Sequence, residues 1–178
     1  SQLIFNIGGI SNGTHLVGSS ISKASDVGPG NCLLDLMAQN LDIGDFDKNG
    51  DTAAKGKLNI RLLNFYLEKL DHLTYPRADD ISIYYEILES SKNFHKNISP
   101  NDILCTLVEL SALKIKDFHI YCNSPDIVYV HGGGIYNTFL MGRIKNLLGV
   151  SVKTTEELID SKFVEAAAFA YLAYKERA

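Results

Sequence analysis

Three short segments carry residue types that let a backbone come close to a ligand. Asn6-Ile7-Gly8-Gly9-Ile10-Ser11-Asn12 and His131-Gly132-Gly133-Gly134 each follow a hydrophobic, strand-like run, and Asp26-Val27-Gly28-Pro29-Gly30-Asn31 has the same glycine-rich character. Glycine lacks Cβ, so a phosphate or a flat ring can lie against the main chain there. Three such loops in one chain point to a nucleotide site. Neither G-x-x-x-x-G-K-[ST] nor G-x-G-x-x-G occurs, which excludes the P-loop and the dinucleotide fingerprint.

The elements that must position these loops follow from hydrophobic spacing. Leu3 to Ile7 and Thr14 to Val17 read as strands of a hairpin with a wide turn, and Ser19 to Ser25 as a third strand. Cys32 to Ala38 has helical spacing, so the Asp26–Asn31 loop should end at a helix N-terminus. Asp45 to Gly56 reads as a loop, Leu58 to Leu70 as an amphipathic helix, and Thr74 to Asp80 as a turn around Pro76. Ser99-Pro100-Asn101-Asp102 opens a helix with a cap, a first-turn proline and an acid at the positive dipole end. Ile127 to Val130 reads as a strand covered on both faces, with a helix directly after the triple glycine. Val150 to Lys153 makes a short strand, and Lys162 to Lys175 a closing helix that is apolar on nearly every side. The order β-β-β-α, helices, β-α-β-α predicts one α/β domain of mixed sheet over residues 1–178.

Composition narrows the partners. At 178 residues and 46% hydrophobic content the chain can bury a core of its own, and a net charge of -4 gives no nucleic-acid footprint. No apolar stretch reaches the roughly 18 residues that span a bilayer. Cys32, Cys105 and Cys122 lack CxxC spacing and sit among apolar neighbours, which fits a reducing cytoplasm. The strand that begins at Leu3 without a leader reads as part of a longer protein.

Read together, these segments resemble one family. Strand, Gly-Asn hairpin, strand, and later strand, triple glycine, helix resemble the second lobe of the actin-like ATPase and sugar kinase superfamily. With Leu33-Leu34-Asp35, Phe46-Asp47, Gly50, Ala53, Gly56 and Val164-Glu165-Ala166 added, nearly the whole chain resembles the C-terminal lobe of anhydro-N-acetylmuramic acid kinase. The resemblance implies a ribonuclease H-like lobe that binds ATP with Mg²⁺. Its N-terminal partner lobe would supply the general base and most of the sugar pocket, leaving no catalytic residue here. The family's reaction opens a 1,6-anhydro amino sugar with water and phosphorylates O6, in cell-wall recycling.

On that resemblance Asn6, Gly8, Gly9, Asn12, Asp26, Gly28, Gly30 and Asn31 are phosphate-side candidates, Gly132, Gly133, Gly134 and Asn137 line the adenosine, and Glu165 contacts the sugar. Competing readings exist for each group. A plain hairpin turn also accounts for Gly8, Gly9, Asn6 and Asn12, a helix cap needs Asp26 to Asn31, and close helix–strand packing uses glycines such as Gly132 to Gly134, although three in a row exceed what packing requires. Glu165 could serve only the helix dipole, and His131 reads as a satisfied core group. Asp35 and Asp47 read as structural, and no His/Cys/Asp set has metal-ligand spacing. The run Tyr75-Pro76-Arg77-Ala78-Asp79-Asp80 departs from the family's usual proline, lysine, serine, threonine, glycine pattern. Two further functions therefore stay open: a non-catalytic interaction or dimerisation module, and a kinase of another amino sugar.

Overall fold

A computed structural model of the chain describes residues 1–157, 159–160 and 163–175. Strands β1 (Gln2–Ile7), β2 (Ile10–Val17), β3 (Ser20–Pro29), β4 (Ile127–His131) and β5 (Ser151–Thr154) form one sheet in the order β3-β2-β1-β4-β5. The first three are antiparallel neighbours, whereas β4 runs parallel to both β1 and β5. Helices α1 (Cys32–Asn40), α2 (Ile60–Leu70), α3 (Ile81–Ser90), α4 (Lys92–His95) and α5 (Pro100–Tyr121) fill the crossover from β3 to β4. Helix α6 (Thr138–Leu148) joins β4 to β5, and α7 (Val164–Lys175) follows β5. This is the mixed α/β sheet that the hydrophobic spacing predicts.

Strand alternation decides where the core lies. Leu3, Phe5 and Ile7 of β1 and Val128 and Val130 of β4 are fully buried on one face, in register as Leu3↔Val128 and Phe5↔Val130. Helix α5 packs beneath β3 and against α1, α2 and α6. Its Phe118 stacks edge-on to Phe5 at 6.0 Å between ring centres, and full burial of each such side chain contributes roughly 1.5–3 kcal/mol. Gly13 is what lets that ring in, since a Cβ there would lie 2.4 Å from Phe118 Cε1. On α5 the nearly buried Glu109 carboxylate accepts both Nε (2.7 Å) and Nη2 (2.9 Å) of Arg143 from α6. The bidentate geometry compensates for lost hydration.

Several expectations shift. Strand β4 is buried on one face only, because the helices of the β3–β4 crossover gather on the Leu3 side; Tyr129 and His131 opposite are half-buried. The hairpin is tight rather than wide: β2 begins at Ile10, Gly8-Gly9 forms the tip, and Asn12 stands within β2 opposite Asn6. Strand β3 runs on to Pro29 because Asp26 N–H finds Arg77 C=O at 2.9 Å and Ile10 pairs with Pro29, so the backbone remains extended past Ser25. Helix α3 has no counterpart in the sequence reading, since Ile81, Ile83, Tyr84 and Tyr85 favour strands on propensity. Burial of Tyr84, Ile87 and Leu88 and an Asp80 cap onto Ser82 N–H override that preference. A 3₁₀ turn, Gly133–Tyr136, takes in the last two of the three glycines and precedes α6, so the helix does not follow the triple glycine directly.

Candidate functional site

Parallel pairing of β1 and β4 puts Asn6 beside His131, so the Gly8-Gly9 tip and the triple glycine leave the sheet side by side at the strands' C-terminal ends. That is where open α/β sheets bind ligands. The start of α1 closes the arrangement from below. Gly30 N–H and Cys32 N–H donate to Gly9 C=O at 2.9 and 3.0 Å, and Asn31 N–H donates to Gly8 C=O at 2.8 Å. These first donors of the helix are thus already used by the hairpin tip, and the Asn31 side chain reaches on to Ile7 C=O at 3.4 Å.

The glycines divide by what faces them. A Cβ at Gly134 would meet Ile7 Cγ2 at 2.2 Å, at Gly132 Asn6 Oδ1 at 2.3 Å, at Gly30 Gly8 C=O at 2.3 Å, and at Gly28 Lys114 Cβ at 2.7 Å. Those four hold elements in close approach. Gly132 also has φ of 88°, a conformation that L side chains rarely adopt. Gly9 and Gly133 are exposed, with nothing nearer to a Cβ than 3.7 and 3.9 Å respectively.

Gly133 opens onto a cavity of about 450 Å³, the size of a small-molecule site. Asn31 and Asp35 of α1 form one wall, Gly133, Tyr136 and Asn137 a second, and the segment from Phe46 to Asn49 the third. That third wall is pinned. Asp47 accepts Thr52 N–H and Ala53 N–H on its two oxygens, both at 2.9 Å, Thr138 Oγ1 donates to Asn49 C=O, and Asn137 Oδ1 caps α6 at Leu140 N–H. Phe46 and Tyr136 are 59% and 49% exposed on this rim, as ligand-stacking rings would be. Asp35 is half-buried, and desolvation raises its carboxyl above the usual carboxylate range. Among the described residues its carboxylate has no hydrogen-bond or ion-pair partner.

A second cluster lies on the open face of the sheet. The register Asn6↔Asn12 and Asn12↔Asp26 sets these three polar side chains in a row across β1, β2 and β3. Asp26 is held there, because its Oδ2 accepts Asp79 N–H at 2.8 Å. Arg77 organises this corner. Its guanidinium pairs with Asp79 at 2.9 Å and donates to Leu73 C=O and Val27 C=O, and Tyr84 Oη donates to Asp79 as well. The altered Tyr75–Asp80 run is therefore tied to the end of β3. Thus Asn31, Gly133 and Asn137 meet at the cavity, Asn6, Asn12 and Asp26 form the row, and Gly28, Gly30, Gly132 and Gly134 hold elements together. Glu165 falls in α7, and its side chain lies outside what the structure describes.

Cavity residues Phe46, Lys48, Asn49 and Tyr136 were not singled out from sequence as ligand contacts, and Asp35 reads there as structural. The exposure of two aromatic rings at one rim has no signal in a linear chain. No group of three or more His, Cys, Asp or Glu side chains among the described residues could hold a metal ion. No helix among them is long and apolar enough to cross a membrane.

The sheet order and the paired glycine loops define a lobe of the actin-like ATPase fold. Solved structures agree on the fold. The activator of 2-hydroxyisocaproyl-CoA dehydratase from Clostridium difficile, with bound ADPNP, superposes with a TM-score of 0.61 at 12% identity over 92% of this chain and 56% of that one. Xylulose kinase from Rhodospirillum rubrum gives 0.56 at 13% identity, over 86% of this chain and 34% of that one. Residues 1–177 match the family described as Anhydro-N-acetylmuramic acid kinase, and the chain belongs to that family. Relatives of that name from Shewanella sp. (strain W3-18-1) and Legionella pneumophila (strain Corby) are 37% and 35% identical, over 98% and 97% of this chain. The chain spans 48% of each, about half the length of these relatives.

Proposed function

We propose that this chain is the nucleotide-binding lobe of an ATP-dependent sugar kinase acting on 1,6-anhydro-N-acetylmuramic acid in the cytoplasm. The observation that carries the proposal is the cavity onto which Gly133 opens, beside the Gly8-Gly9 tip. Purine and ribose occupy it, with Asn31 and Asn137 at its walls, and the phosphates run toward Gly8, Gly9 and the Asn6-Asn12-Asp26 row. Family membership and the ADPNP bound to a protein of the same fold support ATP as the guest. Among the described residues no carboxylate set holds Mg²⁺ by itself, so the ion arrives on the nucleotide's phosphates, where it offsets their charge. The sugar's attacking water and general base belong to a second, N-terminal lobe. Phe169 and Tyr174 of α7, 73% and 69% exposed, support a surface that this lobe covers.

Calorimetry with ADP or ATP and Mg²⁺ tests the binding half, and an assay with ATP and the anhydro sugar tests the rest. The chain alone binds nucleotide and turns over no sugar. Absence of heat at millimolar nucleotide with the fold intact refutes the binding role and favours an interaction module. Turnover by the chain alone refutes the placement of the base on another lobe.

A further inference from the structure

We propose that Asp35 reads the ribose of the bound nucleotide, its carboxylate accepting hydrogen bonds from the vicinal 2′- and 3′-hydroxyls; this rests on the nucleotide reading above. Two carboxylates line the cavity, and their circumstances differ. Asp47 spends both oxygens on Thr52 and Ala53 N–H groups. Asp35 spends neither on a group among the described residues, although it is half-buried and sits in the first turn of α1. A half-buried carboxylate without protein donors keeps only part of its hydration, and a ligand that supplies two donors can take the place of that water on binding. Among the parts of a nucleotide, the vicinal diol presents two hydroxyl donors at a spacing that matches the two oxygens of one carboxylate.

Position along the helix agrees. Asn31 is tied to the hairpin tip through Gly8 C=O, and Asp35 lies one helical turn further on, its N–H bonded to Asn31 C=O at 2.8 Å. Four residues advance a helix by about 6 Å. That is the step from the phosphate end of a nucleotide to its ribose hydroxyls. Beyond Asp35 the cavity rim carries the exposed rings of Phe46 and Tyr136, which suit a flat base by stacking.

Calorimetric titration of the chain with ADP, 2′-deoxy-ADP, 3′-deoxy-ADP and inosine diphosphate tests the assignment. The wild-type chain should bind each deoxy analogue about tenfold more weakly than ADP, the loss expected for one hydrogen bond to a charged group. In Asp35→Asn and Asp35→Ala that difference should shrink to about twofold or less, with inosine diphosphate tracking ADP throughout. Melting temperatures of both variants should equal or exceed wild type, because no protein group loses a partner. If ADP binds and the deoxy analogues bind equally well, the ribose assignment falls while the nucleotide reading stands. If Asp35 variants instead erase a preference for ADP over inosine diphosphate, the carboxylate reads the base's amino group and the assignment is wrong. A melting temperature markedly lowered in both variants makes Asp35 structural and overturns the proposal. Absence of any ADP binding in a folded chain removes the nucleotide reading and this inference with it.

Discussion

Alanine at each of the three consecutive glycines separates packing from ligand access. At Gly134 the new methyl would stand 2.2 Å from Ile7 Cγ2 and 2.6 Å from Ile7 Cβ, where carbon atoms in cores settle at about 3.5–4.0 Å. Ile7 is fully buried at the end of β1 and hydrogen-bonded into the sheet, so the overlap of more than an ångström cannot relax by rotating one side chain. Overpacking of that kind costs about 1–3 kcal/mol, and Gly132→Ala adds the strain of a left-handed φ to a contact of 2.3 Å. We expect a loss of about 3 kcal/mol in Gly134→Ala and at least as much in Gly132→Ala. For a chain of this length that lowers the melting temperature by about 6–12 °C. Gly133→Ala should behave otherwise, since its nearest neighbour, Asn31 Nδ2, is 3.9 Å away. Its stability should stay within about 0.5 kcal/mol of wild type while its methyl narrows the cavity and weakens ADP binding about tenfold. Thermal melts followed by circular dichroism, paired with ADP titration, read both quantities. The reasoning fails if Gly133→Ala melts as low as Gly134→Ala, or if Gly133→Ala binds ADP as wild type does.

Arg77→Ala should lower the urea midpoint by the equivalent of about 3–5 kcal/mol, because it leaves the buried Asp79 carboxylate without its counter-charge, with Tyr84 Oη as its remaining donor, and frees the carbonyls of Leu73 and Val27; Arg77→Lys should recover only part of it. Equal stability of Arg77→Ala and wild type would show that the corner is held by other contacts. Burial lowers the pKa of both His15 and His95, so each is favoured neutral in the folded state. Their contribution is present above the unfolded value near 6.5 and lost as pH falls through it, which predicts a melting temperature that drops between pH 7 and pH 5. Asp35, with its raised carboxyl, acts in the opposite sense and only at lower pH, toward the carboxylate range. A flat melting profile from pH 7 to pH 5 would contradict the histidine assignment. Asp47→Ala leaves two backbone N–H groups unpaired and should cost about 2 kcal/mol, together with weaker ADP binding as the third cavity wall loosens. Unchanged binding in that variant would detach the Phe46–Asn49 wall from the site.

Much of this was legible in the chain before any coordinates. Alternation marks β1, the Ser99-Pro100-Asp102 cap marks α5, and the three glycine segments mark the loops that converge at one edge. What each glycine does was not legible, because Gly133 and Gly134 are the same residue type one position apart. Only the approach of Ile7 tells them apart, and it comes from a strand more than a hundred residues away. Helix α3 was missed for a related reason: its β-branched and aromatic residues favour a strand locally, and burial against the core reverses the choice.

Local chemistry written into the sequence thus determined most of the elements and the family, since propensity, capping and glycine placement act over a few neighbouring residues. Tertiary structure decided which polar groups remain unspent. Asp47 and Asp35 both line the cavity, yet one is satisfied by the Thr52 and Ala53 N–H groups and the other has no partner among the described residues. Partnership of that kind depends on where distant segments meet in space, and that is set only when α1, the Phe46–Asn49 segment and the end of β4 pack together.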